Sequence, residues 1–283
     1  MEVLDSPRAM RTWSATRRAS GNRIALVPTM GALHDGHLAL IDEARRHAAV
    51  VVVSIFVNPL QFNVRDDFDR YPRDIDDDLT ACAARGVDAV YAPTPQSMYP
   101  DGFQTRVVPG ALADPLEGAG RPGHFGGVTT VVTKLFNAVR PDVAVFGEKD
   151  YQQLTIVRRM VDDLDMGIDI VGLATVRESD GLAMSSRNRR LDPAQRAAAH
   201  VVPAALDAVG QAWSAGAAGE RARQQGVDVA AAEPLARLEY LELVCPRTLV
   251  PAGDSASQAL ATIAVWFGDV RLIDNRLLVR SGE

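Results

Sequence analysis

The 283-residue sequence is poor in cysteine, in net positive charge and in long apolar runs. Its only two cysteines, Cys82 and Cys245, are typical of a protein from a reducing compartment rather than a disulfide-stabilised secreted fold. The formal net charge of -6 argues against obligate nucleic-acid binding, which normally requires a basic excess. The longest apolar stretch, residues 48–57, is too short to span a bilayer. We therefore expect a cytoplasmic protein that binds neither nucleic acid nor membrane.

The first 20 residues carry arginines but no apolar core of a signal peptide. We do not expect a transit peptide either, because the apolar pattern places the first strand near residue 23.

Apolar runs alternate with amphipathic helical segments through the first half of the chain. The predicted strands cover residues 24–27, 50–57, 89–92, 143–146 and 168–173, and the predicted helices cover 36–47, 74–85, 128–139 and 151–164. Strands that are continuously apolar are typical of a sheet with helices on both faces. The alternation predicts a Rossmann-like, doubly wound parallel α/β domain over residues 1–176. Ligands of such domains bind at the carboxyl ends of the strands.

The pattern of predicted helices and strands changes after residue 177. It predicts a smaller α+β domain over residues 177–283 that closes over the first. Asp192-Pro193 is a good helix start, and Pro203 predicts a kink or two helices before residue 213. Residues 214–226 have no clear pattern. Strands are predicted at 240–244, 261–267 and 271–273, with a turn at Asp274-Asn275.

Two histidines, His34 and His37, lie where a helix is predicted to follow the first of these strands. Residues three apart share a helix face, and the free backbone N–H groups of a helix N-terminus attract anions. Gly31 and Gly36 would let a ligand approach the backbone closely. This pattern predicts a phosphate-binding turn. The alternatives are a helix cap or a solvated surface, and a zinc site is disfavoured because no second His/Cys pair lies nearby.

Two further segments follow predicted strands and carry polar groups. Asn58 and Gln61 offer amides suited to a small ligand with hydroxyls and a carboxylate, although Asn-Pro also makes ordinary turns. Lys149 lies at a helix start, where a positive charge is poorly placed for stability and therefore indicates phosphate binding; a solvated lysine is the alternative. The carboxyl ends of their strands place these segments and the histidines around one crevice.

Other polar segments leave their alternatives open. Residues 184–188, Met-Ser-Ser-Arg-Asn, can surround phosphate oxygens or can simply cap a helix. Residues 121–127 form a flexible wall or an ordinary turn. The acidic run at 74–78 stabilises a helix start, with magnesium binding by Asp77 or Asp78 as the minority interpretation. Cys82 is expected to be buried and inert, on an apolar helix face with Ile75 and Leu79.

Together these segments resemble the pantoate–β-alanine ligase (pantothenate synthetase) family, within the nucleotidylyltransferase superfamily and its His-x-Gly-His signature. The likeness runs over nearly the whole chain. It rests on residues 27–37, 56–62, 67–73, 121–125, 145–153, 184–188, 240–242 and 271–275.

The resemblance implies a two-step ligation that uses ATP, with Mg²⁺ bound through the ATP phosphates, and it implies a homodimer. Pantoate would attack the α-phosphorus of ATP to give pantoyl adenylate and pyrophosphate, and β-alanine would then release AMP and pantothenate. No metal bound directly by the protein is implied.

The resemblance also assigns the site residues. The implied catalytic groups are His37, as proton donor, with His34, Lys149 and Arg187. The implied ATP-binding residues are Met30, Gly31, Ala32, Leu33, His34, Asp35, Gly36, His37, Gly147, Glu148, Lys149, Asp150, Val176, Met184, Ser185, Ser186 and Arg187. Pantoate would bind Gln61, Gln153 and Asn58, and β-alanine would bind Gln61.

Three rival functions remain. An aminoacyl-tRNA synthetase would need a tRNA-binding domain and usually a lysine-rich loop in place of Met-Ser-Ser-Arg. A simple nucleotidylyltransferase would release no AMP in response to β-alanine. A nucleotide-binding module would produce no AMP at all.

Overall fold

The computed structural model, which describes residues 1–63 and 68–280, divides the chain into two units. The first comprises Met1–Glu148 and Gln152–Ala174, and the second comprises Lys149–Tyr151 and Thr175–Glu283. Asp67, which belongs to one of the motifs named above, lies outside the described residues.

Six parallel strands form the sheet of the first unit. They are β1 (Glu2–Leu4), β2 (Ile24–Thr29), β3 (Val50–Ile55), β4 (Ala89–Tyr91), β5 (Val143–Gly147) and β6 (Asp169–Leu173). Their order in the sheet is β1-β4-β3-β2-β5-β6, and every pair is parallel. The chain moves from β2 to β3 and β4 on one side and returns through β5 and β6 on the other. This reversal is the switch point at which doubly wound sheets bind ligands.

Helices cover both faces of this sheet, which confirms the predicted class. They are α1 (Pro7–Ala19), α2 (Asp35–His47), α3 (Ile75–Ala84), α4 (Pro95–Met98), α5 (Glu117–Gly120), α6 (His124–Val139) and α7 (Tyr151–Asp163). Successive residues of β2 enter opposite cores because strand side chains alternate. Leu26 packs in one core with Phe136 of α6, and Val27 packs in the other with Ile41 of α2.

The expectation that the first strand begins near residue 23 is wrong, because β1 and α1 precede it. Three residues are too few to show a pattern, and Val3 is 53% exposed, so this edge strand has no apolar signature. The prediction that Ile75 lies on the apolar helix face of Cys82 is also wrong, since Ile75 is exposed. The inward position near Cys82 is held instead by Asp78. Cys82 itself is fully buried, and burial raises the pKa of its thiol to about 11.

The second unit packs helices on a three-stranded antiparallel sheet, as expected for the smaller α+β domain. Its elements are α8 (Pro193–Ala198), α9 (Val201–Ser214), α10 (Gly219–Ala231), β7 (Arg237–Val244), β8 (Gln258–Phe267) and β9 (Val270–Val279). Leu206 and Trp213 of α9 share a core with Ile263 and Phe267 of β8. Across the described part of the chain, no helix combines the length and the apolar character needed to cross a membrane.

The prediction of two helices in this segment is confirmed. The break between α8 and α9 lies at residues 199–200, before Pro203. Pro203 is the third residue of α9, within the first turn, where a helix does not use the missing N–H. Most of residues 214–226, which had no clear pattern, belong to α10 or lead into it.

The predicted turn at Asp274-Asn275 is wrong, since both residues lie within β9 opposite Ile263 and Thr262. The side chain of Asp274 is fully buried, and Arg177 binds it through two nitrogens at 2.7 and 3.1 Å. A paired carboxylate can occupy a buried strand position that an unpaired one could not. The turn itself comes earlier, at Gly268, whose φ is +59°.

Candidate active site

The turn that follows β2 is held by a buried carboxylate. The backbone N–H of Ala32 donates to Asp78 Oδ2 at 2.9 Å, and that of Leu33 donates to Asp78 Oδ1 at 2.7 Å. Gly31 and Ala32 have φ values of +83° and +52°, and this left-handed pair turns both N–H groups toward Asp78. A Cβ on Gly31 would lie 2.8 Å from Asp78 Oδ2, so glycine is required there for space as well as for conformation.

Asp78 was named from the sequence only as a minority candidate for magnesium binding, and its role in holding this turn was missed. Burial raises the pKa of its carboxyl, and the neighbouring Asp74 and Asp77 add to this, while the N–H groups of Leu33 and Ala32 oppose it. Because both carboxylate oxygens accept hydrogen bonds from the backbone, the geometry favours a structural role over magnesium binding. Its spacing of four residues from Cys82, which places the two on one helix face, is the clue that the sequence did contain.

His34 and His37 both cap α2 through their Nδ1 atoms. Their ring centroids are 4.1 Å apart. The N–H of Gly36 donates to His34 Nδ1 at 3.2 Å, and the N–H of His34 donates to His37 Nδ1 at 3.3 Å. An Nδ1 that accepts a hydrogen bond puts the proton of a neutral imidazole on Nε2. The cap and the ligand-binding interpretations are therefore compatible, since each uses a different nitrogen.

The expectation that free backbone N–H groups of this turn bind an anion is wrong for most of them, because the protein already uses them. The N–H of Gly31 donates to Thr29 Oγ1, and those of Ala32 and Leu33 donate to Asp78. The N–H groups of residues 34, 36 and 37 donate to acceptors on the two histidines. The donors suited to a ligand at this turn are consequently the histidine side chains.

Gln61 lies beside the same turn. Its Nε2 donates to Met30 Sδ at 3.0 Å, and its Oε1 accepts from Asn58 Nδ2 at 3.0 Å. Asn58 precedes a 3-10 turn, Pro59–Gln61, and its Oδ1 accepts from the N–H of Leu60 at 3.3 Å. The structure thus brings two of the predicted motifs together, and it also gives Asn58 the turn role that was its alternative interpretation.

Residues 121–127 anchor this turn, so neither a flexible wall nor an ordinary turn describes them. Arg121 donates to the carbonyl of Gln61 at 3.0 Å and approaches His124 Nε2 at 3.3 Å, while His124 Nδ1 lies 2.8 Å from that carbonyl. Because arginine can only donate, Nε2 accepts and Nδ1 carries the proton that binds Gln61. α6 begins at His124, four residues before the predicted start, and therefore includes Gly126 and Gly127.

Gly127 is where α6 meets the turn of Gln61. A Cβ at this position would lie 2.2 Å from the carbonyl oxygen of Leu60, whereas a Cβ on Gly126 would meet nothing within 4 Å. A side chain at Gly127 would therefore push the Asn58–Gln61 segment away from α6.

At the start of α7, Gln152 and Gln153 have different surroundings. Gln152 is buried, accepts from the N–H of Glu117 at 3.1 Å, and donates to the carbonyls of Leu112 and Pro115. Gln153 is half-buried. Gly147 closes β5, and Glu148 begins the 3-10 turn that follows it.

In the second unit, Lys149 is fixed through its backbone. Its carbonyl accepts from Asn275 Nδ2 at 2.8 Å, so this residue of β9 anchors the backbone of Lys149. The Lys149 side chain is 17% exposed, and its Nζ lies 3.8 Å from Asp150 Oδ2.

The Met-Ser-Ser-Arg segment of the second unit is also well anchored. The N–H of Met184 donates to the carbonyl of Val176 at 3.0 Å, so two predicted ATP-binding positions are neighbours. Ser185 Oγ accepts from the N–H of Arg187 at 3.3 Å and caps a 3-10 helix, Ser186–Arg190, as the alternative interpretation held. Asn188 binds Glu178 at 2.6 Å and closes the loop.

Comparison with known proteins matches one family model to nearly the whole chain. The family model of pantoate-beta-alanine ligase matches residues 2–277. A pantothenate synthetase of Mycolicibacterium smegmatis is 53% identical over 276 residues, with 97% of this chain and 87% of the relative covered. One of Pelobacter propionicus is 47% identical over 279 residues, with 98% of each chain covered.

Two solved structures share the fold. The pantothenate synthetase of Thermus thermophilus superposes with a TM-score of 0.92 at 46% identity, covering 98% of this chain and 99% of that one. The pantoate-beta-alanine ligase of Francisella tularensis, complexed with beta-gamma ATP and beta-alanine, gives a TM-score of 0.81 at 33% identity. That alignment covers 98% of this chain and 97% of the other.

Proposed function

The chain belongs to the pantoate-beta-alanine ligase family, and we propose that it joins pantoate and β-alanine to form pantothenate, with ATP converted to AMP and pyrophosphate. The observation that carries this proposal is the hydrogen bond from Gln61 Nε2 to Met30 Sδ. It puts the amide proposed to bind pantoate beside the turn whose histidines are proposed to bind ATP. A likeness to an ATP- and β-alanine-bound relative supports the same substrates.

In the first step, the carboxylate of pantoate attacks the α-phosphorus of ATP and pyrophosphate leaves. A carboxylic acid is already ionised at neutral pH, so this step needs no general base. It needs donors that stabilise the negative charge developing on the phosphate oxygens. The Nε2–H groups of His34 and His37 supply such donors, because their Nδ1 atoms are engaged by the backbone. His37 is also the proposed proton donor, with its Nε2 proton directed to the departing pyrophosphate.

Lys149 and Arg187 are proposed as further phosphate ligands. Lysine and arginine both bind phosphate oxygens, and arginine can bind two at once. The remaining proposed ATP contacts are Met30, Gly31, Ala32, Leu33, Asp35, Gly36, Gly147, Glu148, Asp150, Val176, Met184, Ser185 and Ser186. The N–H groups of Ala32 and Leu33 already donate to Asp78, so these two residues would contact ATP through other atoms.

In the second step, the neutral amine of β-alanine attacks the acyl carbon of pantoyl adenylate, AMP leaves with the C–O electron pair, and the nitrogen releases one proton to solvent as the amide forms. Gln61 and Gln153 hold the pantoyl group, and Gln61 also lies near β-alanine. Asn58 is only 1% exposed, and the protein fills its hydrogen-bonding groups, which favours a role through Gln61.

Magnesium is proposed to arrive on the ATP phosphates. Within residues 1–63 and 68–280, no group of three His, Cys, Asp or Glu side chains is arranged to hold a metal ion. Bound in this way, magnesium would neutralise part of the phosphate charge, as it does in sites where it keeps most of its water ligands.

We further propose a homodimer that works in the cytoplasm. Light scattering after size-exclusion chromatography measures the oligomeric state. The free thiols of Cys82 and Cys245 suit the reducing cytoplasm.

The test is to incubate the purified protein with ATP, magnesium and D-pantoate, and to measure pyrophosphate and AMP with and without β-alanine. The ligase releases AMP and pantothenate in equal amounts, and only when β-alanine is present. Pyrophosphate release without any response to β-alanine would point to a nucleotidylyltransferase with another acceptor. An absence of pyrophosphate would leave a binding module.

A further inference from the structure

The hydroxyl of Tyr99 lies at the far end of a short chain of hydrogen bonds that ends at Gln61. Tyr99 directly follows α4, and its hydroxyl is 2.8 Å from Asn58 Oδ1. The ring packs against Phe56 and Phe103, with centroids 6.1 and 5.0 Å away. Burial raises the pKa of this hydroxyl well above its ordinary value, so it keeps its proton at neutral pH and acts as a donor.

Asn58 can adopt only one amide orientation that satisfies its surroundings. Its Oδ1 accepts from Tyr99 and from the N–H of Leu60, and its Nδ2 donates to the carbonyl of Gly127 at 3.1 Å and to Gln61 Oε1. If the amide were reversed, its oxygen would face the oxygens of Gly127 and Gln61, and its nitrogen would face the N–H of Leu60. The orientation is therefore fixed by three elements of the fold.

The direction of the Asn58 amide determines that of Gln61. Because Asn58 donates to Gln61 Oε1, the oxygen of Gln61 is turned toward Asn58, and its NH₂ group is turned toward Met30 of the histidine-containing turn. Gln61 consequently presents donors, and a donor suits the carboxylate or hydroxyl oxygens of a ligand rather than its amine.

We propose that Tyr99 is a positioning residue that, through Asn58, fixes the direction of the Gln61 amide so that it donates to pantoate. This inference rests on the proposed function for the identity of the ligand, but the direction of the relay does not depend on it. Tyr99 contacts no substrate in this scheme, and its effect is transmitted by two hydrogen bonds.

The experiment compares Tyr99→Phe with Tyr91→Phe as a matched control. Tyr91 is fully buried in β4, and within the described part of the chain its hydroxyl has no hydrogen-bond partner. Tyr99→Phe is expected to raise KM for pantoate about threefold to tenfold, the equivalent of one hydrogen bond, while KM for ATP stays within about twofold. Tyr91→Phe is expected to change neither constant.

A second readout follows the amide itself. The side-chain NH₂ resonances of Gln61 are assigned in ¹⁵N-resolved NMR spectra by their loss in Gln61→Ala. Tyr99→Phe should shift them and Tyr91→Phe should not, even without substrate. Unshifted resonances, or equal changes in both KM values, would overturn the relay. If wild-type protein turns over no pantoate, the proposed function fails, whereas the NMR comparison still decides the relay.

Should Tyr99→Phe fold poorly, as shown by its thermal midpoint, Asn58→Asp provides the alternative. An aspartate oxygen in place of Nδ2 would oppose Gln61 Oε1 and reverse the amide. This variant should lose pantoate binding by more than tenfold while it retains ATP binding. Retained pantoate binding would contradict the proposal.

Discussion

Asp78 lies 46 residues beyond Ala32 in the chain, yet its carboxylate accepts the N–H of Ala32 at 2.9 Å and so fixes the turn that carries His34 and His37. Asp78→Ala should leave the buried N–H of Ala32 and the partly buried N–H of Leu33 unpaired and lower the free energy of unfolding by about 2–4 kcal/mol. Urea denaturation measures this change. Asp77→Ala is the control, because Asp77 is exposed and its removal should change stability by less than about 0.5 kcal/mol. Equal effects of the two substitutions would contradict the role of Asp78.

The same carboxyl predicts a pH dependence of stability. Burial raises the pKa of Asp78 in the folded state above its ordinary value of 3.8, so protonation favours folding. The contribution is fully present below pH 3.8 and is lost as pH rises through the folded pKa. The free energy of unfolding of wild type, minus that of the non-titrating Asp78→Asn, should therefore decrease from pH 3 towards neutral pH. An increase over this range would mean that the two N–H groups outweigh burial and that the direction is wrong.

His37→Asn separates the capping role of that histidine from its proposed catalytic role. An asparagine Oδ1 can take the place of Nδ1 and accept the N–H of His34, but it supplies nothing at the position of Nε2. Adenylate formation, followed by pyrophosphate release, should slow by about a hundredfold, the scale expected for one lost transition-state donor. The thermal midpoint should change little. His47→Asn, at the other end of α2, serves as the control and should retain full activity. A rate equal to wild type in His37→Asn would exclude His37 from catalysis.

Alanine substitutions at two adjacent glycines of α6 should have opposite effects. Gly127→Ala places a methyl group against the carbonyl of Leu60 and should destabilise the fold by about 1–3 kcal/mol while it weakens pantoate binding. Gly126→Ala meets open space and should stabilise the helix by up to about 1 kcal/mol. Thermal unfolding and KM for pantoate are the measurements. A Gly127→Ala protein with normal stability and normal pantoate affinity would show that the Gln61 turn is not fixed by this contact.

The sequence predicted those parts of the fold that depend on local pattern. Continuous apolar runs located β2, β3 and β5, and the amphipathic pattern located the start of α2 to within a residue. Features that depend on distant contacts were missed. Nothing near Asp78 indicates that its partners are Ala32 and Leu33. Likewise, Asp274 can lie in a strand only because Arg177, 97 residues earlier, pairs with it.

For the site, the sequence identified residue types but not their directions. The sequence indicated that Asn58 and Gln61 are amides suited to a small ligand. The orientation of each amide, however, depends on contacts with Tyr99 and Gly127, which belong to other elements. The sequence also treated residues 121–127 as a wall or a turn, because the anchoring of Arg121 and His124 on the Gln61 carbonyl is a tertiary contact.

Most backbone N–H groups of the turn at residues 31–37 are hydrogen-bonded within the protein, and this has a consequence for ligand affinity. A loop that must rearrange to expose its donors gives up part of its binding free energy to the ordering of its own backbone. Here the left-handed pair Gly31-Ala32 and the carboxylate of Asp78 hold the backbone in place before any ligand arrives. The proposed binding of nucleotide at this turn should therefore involve little loss of backbone entropy, and its selectivity should depend on the two imidazole side chains.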